Sequence, residues 1–572
     1  MSTRAADAPG QGEAETLQKL ARLPEVRTAL TQIITVDPQF QALRARIAAR
    51  RLDSLPAGSR VLLSGCGEVS RQLVESHPQS LARHDLAFTD GAAERPEGFL
   101  GQRWLTAGDA VAFDPEHAFL LTATYETAMR QRLEGLPAGR IATLREILRA
   151  ALTEADILEC LEHINTQARN TARALREAFP ADEKTLYLPD SDWYGANLLV
   201  LRTLRERGWR VVMVVRANTI ANLNAQALTA EGFADHVFLS PSAEYSTVFS
   251  LCLCATFRFS AVVLWVLYAN VQYVQSIIRH SLGPVIAQYD SFLETMLDDE
   301  RFAAGFYEKY GTTREEALEA ERNIITSCGG MLYRNEDHVI RYFEDKYGSR
   351  KPKHKFLRAV DAQIHARNAQ VRKYSADSGE LHIAFINSIQ FADMITEQVA
   401  FPLFCIYEFV EACASQGIHL SIFNPEDFGA VPEFDGLRRM AAASKYISYT
   451  PAIPSAELMA LLPRFDFGWM CRRIDTVRCE FPRVHLPHTI FTYLSAAVPF
   501  IVGPETRYMA DIARENGIGL VLETADWPQA SGILRGFDRE QYLRNAGQYI
   551  EGLAPELLGK RLAAFLDSIA AR

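Results

Sequence analysis

No two of the nine cysteines in this 572-residue sequence stand at the C-x-x-C spacing of a metal-binding or redox pair. Their odd number and scatter point away from a disulfide framework and predict reduced, mostly buried thiols in a cytoplasmic protein. Cys252 and Cys254, one residue apart, sit in an apolar segment. Basic charge is also in short supply. With 60 Lys and Arg against 70 Asp and Glu, the formal charge is -10, which excludes a general role in gripping nucleic acid. The opening residues, MSTRAADAPGQGEAE, contain no apolar core of the secretory kind, so no signal peptide is expected. One uncharged stretch, FSAVVLWVLYANVQYVQSII between Arg258 and Arg279, is long enough to span a bilayer. Its second half carries Asn270, Gln272 and Gln275, and it divides into a buried strand and an amphipathic helix.

What is present is ordinary globular material, 48% apolar and 23% charged, in a chain too long for one core. Three or more domains are expected. Residues 1–55 alternate apolar and charged positions as a helical lead-in. Residues 56–143 read as a small Rossmann-like module, with strands in RVLLS, LAFTD and HAFLL. Residues 144–182 form a helical spacer ended by Pro180. From 183 to 355, apolar runs alternate with helices (TLYLPD, WRVVMVV, HVFLS, AVVLWVLY, PVIAQYD), as a buried parallel sheet requires. This region closes with two helices. The basic stretch KYGSRKPKHKFLR leads into a linker, 356–379. A second series, 380–572, supplies LHIAFIN, HLSIFN, KYISYTP, FDFGWMC, VPFIVG and GIGLVLE before helices at the end. The fold class is α/β: two doubly wound domains preceded by a small module and helices. In such sheets ligands bind outside the carboxyl ends of the strands.

The run LPHTIFTYLSAAVPFIVGPETRYMADIARENGIGLVLE resembles the donor-binding end of GT-B glycosyltransferases. Tyr493, Leu494, Ser495, Ala496, Pro499, Phe500 and Ile501 follow that family's helix-loop-strand pattern, and Glu515, Gly517 and Gly519 match its E-x-G-x-G ending. Two departures stand out. Thr489 occupies the position usually held by Lys, and Thr492 that of the Glu that contacts the nucleotide ribose. Eight residues before Thr492 stands Val484, so a paired glutamate is absent. The resemblance implies a GT-B arrangement and a nucleotide-sugar donor, with no metal and no further cofactor required.

Several residues suit that chemistry. A helix N-terminus concentrates N–H groups for a pyrophosphate, and Pro487, His488 and Thr489 begin such a helix. Asn387 and Ser388 follow the first strand of the second series. Arg472 and Arg473 follow FDFGWMC, as phosphate partners or a solvated loop. In the first series, Asp190 and Asp192 follow TLYLP, and Asp290 ends PVIAQYD. Each is a candidate base for the acceptor hydroxyl, Asp192 equally a helix cap. In the small module, Gly65 and Gly67 form a turn after a strand, and Asp90 could hold a ribose in a nucleotide site. Ser70 stands where a third glycine is common, and a structural role is the plainer alternative.

These expectations describe transfer of a sugar to a glycan, lipid-linked or protein acceptor, in surface polysaccharide assembly or protein glycosylation. The linker bases Lys346, Arg350, Lys351, Lys353, Lys355 and Arg358 could touch an anionic membrane at its inner face, or be solvated. A homo-oligomer is compatible with the spacer. The rivals are a bifunctional enzyme whose Gly65 module binds S-adenosylmethionine or NAD, and a non-catalytic scaffold that keeps the glycosyltransferase shape.

Overall fold

A computed structural model describes residues 11–571 except 66, 90–98, 122–125, 190–196, 217–224, 268–269, 291, 293–312, 387–405, 425–434, 452 and 472–479. The chain forms two compact units. One comprises Met1–Ala178, Arg216–Asn218 and Ser240–Phe257; the other holds Phe179–Val215, Thr219–Leu239 and Arg258–Arg572.

The first unit opens with helices Gln11–Ala21, Pro24–Val36 and Gln41–Asp53. Four parallel strands follow: β1 (Arg60–Ser64), β2 (Asp85–Thr89), β3 (His117–Leu120) and β4 (Ile141–Thr143), in the order β2-β1-β3-β4. The helix Glu154–Ala178 buries Ile157, Leu161, Ile164, Ala168, Ala172 and Leu175 at three- and four-residue spacing, the stripe of a packed helix. Against it lies the helix Ala243–Thr256, whose Tyr245 hydroxyl donates to Gln167 at 2.7 Å. By sequence that helix falls within 183–355; it packs in the first unit instead. Its residues are apolar nearly all round, so periodicity does not say which neighbour it covers.

The second unit contains two parallel sheets. The first has seven strands: β5 (Lys184–Leu188), β6 (Trp209–Arg216), β7 (His236–Ser240), β8 (Ala261–Val266), β9 (Val285–Tyr289), β10 (Gly330–Tyr333) and β11 (Lys353–Lys355). Their order is β11-β10-β9-β8-β5-β6-β7. The other has six: β12 (His382–Phe385), β13 (His419–Asn424), β14 (Ile447–Pro451), β15 (Phe467–Trp469), β16 (Phe500–Val502) and β17 (Gly519–Val521), ordered β14-β13-β12-β15-β16-β17. Each winds outward from a central strand and then reverses, the doubly wound pattern that the fold class expected.

Three elements differ from the sequence reading. Strand β10 falls between the two helices that close the first series, where no strand was expected. It is four residues long, and Gly330 is pressed so closely by Ile569 that a Cβ would lie 2.8 Å from its Cδ1. Strand β11 falls in the basic stretch read as a connection, where charge masks an edge strand. The last helix, Pro555–Ala570, was expected with the second series. It packs on the seven-stranded sheet, where Leu558, Leu562, Phe565, Leu566 and Ile569 enter the core. Asp567 accepts from Lys184 at 2.8 Å and from the Trp209 indole at 3.2 Å.

The uncharged stretch after Arg258 does divide as its composition suggested, into β8 and the helix Val271–His280. Among the described residues, no helix is long and apolar enough to cross a membrane. Cys160, Cys252, Cys254, Cys328, Cys413 and Cys471 are free and buried.

Candidate functional site

Both sheets of the second unit have a reversal point, and chain connections leave it at the carboxyl ends of two neighbouring strands. In the seven-stranded sheet these strands are β5 and β8. In the six-stranded sheet they are β12 and β15. Diverging connections at such a point leave a crevice that side chains from both can line. The segment after β5 contains Asp190 and Asp192, that after β12 contains Asn387 and Ser388, and that after β15 contains Arg472 and Arg473. All six residues lie outside the described residues.

Six other predicted residues, Gly65, Gly67, Asp290, His488, Thr489 and Thr492, are described, and two of them meet. Asp290 follows β9 and is 6% exposed; His488 precedes the helix Thr489–Ser495 in the other half of the unit. Between them stands Arg334, 3% exposed, which follows β10. Because β9 and β10 pair in parallel with Tyr289 opposite Tyr333, the next residues, Asp290 and Arg334, emerge side by side. The Arg334 guanidinium forms an ion pair with the Asp290 carboxylate and donates to the His488 ring. His488 Nε2 lies 4.0 Å from Asp290 Oδ2, and His485 Nδ1 is 2.9 Å from the Asp290 carbonyl.

Burial pushes the His488 imidazole well below its ordinary value, and the Arg334 and Arg358 guanidiniums add to the effect against the pull of Asp290. The ring is therefore neutral and accepts from Arg334. Two buried atoms of the pair, Asp290 Oδ1 and Arg334 Nε, have no partner, nor has either end of the fully buried Asn335 amide. Buried polar atoms without partners are costly and mark places where a ligand or water belongs.

Further polar contacts tie the same two halves together. The Glu336 N–H donates to the Val484 carbonyl at 3.0 Å, and Arg507 reaches Glu336 at 3.0 Å and Glu480 at 3.5 Å. Lys355 lies 2.6 Å from Asp337 and donates to the Tyr508 hydroxyl at 2.9 Å. Several of the bases read as a solvated or membrane-facing run are thus engaged internally: Lys353 pairs with Glu344, Lys355 with Asp337, and Arg358 is buried.

Sequence reasoning missed Arg334 and Asn335 because it missed β10. An Arg-Asn pair directly after the apolar GMLY was the available signal. The helix expected to offer its N-terminus has only seven residues, and His488 makes no side-chain cap. Thr489 and Thr492 are half-buried on it. The motif residues beside them serve packing. The Tyr493 hydroxyl is buried and donates to the Ala384 carbonyl at 2.9 Å, while a Cβ on Gly468 would lie 2.3 Å from the Tyr493 ring. Gly517 ends the helix Arg507–Asn516 at φ 59°, and a Cβ on Gly519 would meet the Phe500 carbonyl at 2.7 Å.

In the first unit, Gly65 follows β1 beside the reversal between β1 and β3 and has φ 99°. The Ser70 hydroxyl donates to the Gly65 carbonyl, and a Cβ on Gly67 would meet nothing within 4 Å. Asp90 lies outside the described residues. Among the described residues, no group of three or more His, Cys, Asp or Glu could hold a metal ion.

No protein-family model matches the chain, and no curated protein does. Among solved structures, HepE of Anabaena, crystallised with UDP-glucose, aligns with 68% of this chain and 100% of its own at 12% identity and a TM-score of 0.45. A trehalose-6-phosphate synthase aligns with 67% of this chain and 99% of its own, at 10% identity and a TM-score of 0.43. AviGT4, a glycosyltransferase involved in avilamycin A biosynthesis, aligns with 68% and 98%, at 12% identity and a TM-score of 0.39.

Proposed function

We propose that the chain is a glycosyltransferase, moving a sugar from a nucleotide-sugar donor to a glycan or protein acceptor. The observation that carries this reading is the pairing of two doubly wound sheets in one unit, with Arg334 joining the carboxyl ends of β9 and β10 to His488 in the other half. In this reading the six-stranded half takes the nucleotide and its phosphates, through Asn387, Ser388, Arg472 and Arg473. The seven-stranded half presents the acceptor. Asp192 or Asp190 takes the proton from the attacking hydroxyl, because Asp290 is already engaged by Arg334. The neutral His488 ring and Thr489 stand where the diphosphate leaves, and Arg472 or Arg473 meets its developing charge.

The test is a panel of UDP-, GDP- and CMP-sugars, read by thermal shift and by donor hydrolysis on the full chain. One nucleotide class should raise the melting temperature at millimolar concentration, as a ligand that binds only the folded state must. Asp192→Asn should then lower turnover by about 100-fold or more with binding retained. Stabilisation by S-adenosylmethionine or NAD alone would favour the bifunctional alternative. Donor binding without hydrolysis or transfer would favour the scaffold.

A further inference from the structure

Two residues that follow β10 reach across to one short segment of the other half, 484–488. The Glu336 N–H donates to the Val484 carbonyl at 3.0 Å, and the Arg334 guanidinium donates to the His488 ring. From the neighbouring strand, the Asp290 carbonyl lies 2.9 Å from His485 Nδ1. The segment is therefore registered against the ends of both β9 and β10. Only the Arg334 link carries a charge. Arg334 is 3% exposed, so water does not compete for its donors, and an ionic hydrogen bond in such surroundings is stronger than one in solvent.

The shape of a guanidinium decides what Arg334 can do. Its donors lie in one rigid plane and are used on two sides: Nη2 pairs with the Asp290 carboxylate, and Nη1 faces the His488 ring. The register of β9 with β10, Tyr289 opposite Tyr333, fixes the first side. A planar group held at one edge has little freedom at the other. His488 is tied in turn to the helix Thr489–Ser495, because its carbonyl accepts from the Phe491 N–H at 3.0 Å and from the Thr492 N–H at 3.3 Å. Contact runs unbroken from strand end to carboxylate, guanidinium, imidazole and helix.

Resting on the nucleotide-sugar reading above, we propose that Arg334 is a positioning residue for the transfer. It acts through the His488 ring to hold the six-stranded half in register with the ends of β9 and β10, so that a nucleotide bound in one half sets the geometry of the acceptor side in the other. Such register matters chemically, since a misplacement of about 1 Å between reacting groups can cost about 100-fold in rate.

Hydrogen exchange on the full chain tests this, with UDP, GDP and CMP as probes. The Phe491 and Thr492 amides report on the nucleotide side, and the Glu336 amide, bonded to Val484 across the contact, reports on the other. At about ten times its Kd, the nucleotide that binds should slow both reporters about tenfold in the parent. Arg334→Lys keeps a cation for Asp290, but a point charge cannot hold carboxylate and ring together. There the slowing should persist at Phe491 and Thr492 and disappear at Glu336. Arg334→Met combined with Asp290→Asn removes both buried charges and should do the same, which keeps the proposal testable if the lysine variant does not fold. Arg507→Ala breaks exposed contacts between the same halves and should leave both reporters slowed, which separates positioning from simple tethering. Slowing at Glu336 retained in the Arg334 variants, or missing from a parent that shows it at Phe491 and Thr492, would overturn the positioning role alone. No slowing at Phe491 and Thr492 with any of the three nucleotides would overturn the nucleotide-sugar reading itself.

Discussion

The second unit buries cations at two opposite edges, and it treats them differently. At the crevice edge Arg334 has its counterion, Asp290, delivered by the neighbouring strand, and a neutral imidazole beside it. At the other edge Lys373 and Arg539 face a carboxylate whose oxygens are already bonded to Ser375 and His382. The first cluster is a completed ion pair that leaves only a few atoms open. The second holds two cations near one carboxylate, and it balances when its lysine loses a proton. A buried charge is thus informative mainly through what its counterion is doing.

The sharpest way to break this contrast is Asp290→Ala. It would strand the Arg334 guanidinium without its carboxylate, and should cost about 3–5 kcal/mol, read as a fall in the urea midpoint. A loss near zero would mean that Arg334 finds another anion and that its pair is not complete.

Lys373 should behave in the opposite sense. Its amine sits near 7 when folded, below the ordinary lysine value of about 10.4, so the unfolded chain binds the extra proton between those limits. Stability should rise with pH from about 7 to 10, by at most roughly 1.4 kcal/mol per pH unit. Lys373→Met should remove that slope and stabilise the chain at pH 7. A slope unchanged in the variant would show that the amine is charged throughout. The smallest effect belongs to the exposed pairs. Arg507→Ala, which breaks contacts to Glu336 and Glu480, should cost under about 1 kcal/mol and less in high salt.

Much of the architecture was legible because buried parallel strands are written as short apolar runs. TLYLP, WRVVMVV and AVVLWVLY became β5, β6 and β8, and all six strands of the last sheet fell where their runs predicted. The runs that failed had physical excuses. GMLY is short and follows a helix closely, and KHK carries charge at an edge. The candidate site was less legible. The motif that bears the family resemblance consists largely of core, with Tyr493 filling the space that Gly468 leaves open. Asp290 and His488 stood out as candidates, but 198 positions separate them, and nothing local announces the arginine between them.

The alternation of apolar runs and helices determined that this chain makes parallel doubly wound sheets, because periodicity and burial are properties of neighbouring residues. Which helix covers which sheet was decided only in three dimensions, as Ala243–Thr256 and Pro555–Ala570 demonstrate. So was the choice of counterion for each buried cation. Strand order brings Arg334 beside Asp290, whereas Asp466 spends its oxygens on Ser375 and the start of β12. Charge pairing depends on distance in space, and a sequence records only distance along the chain.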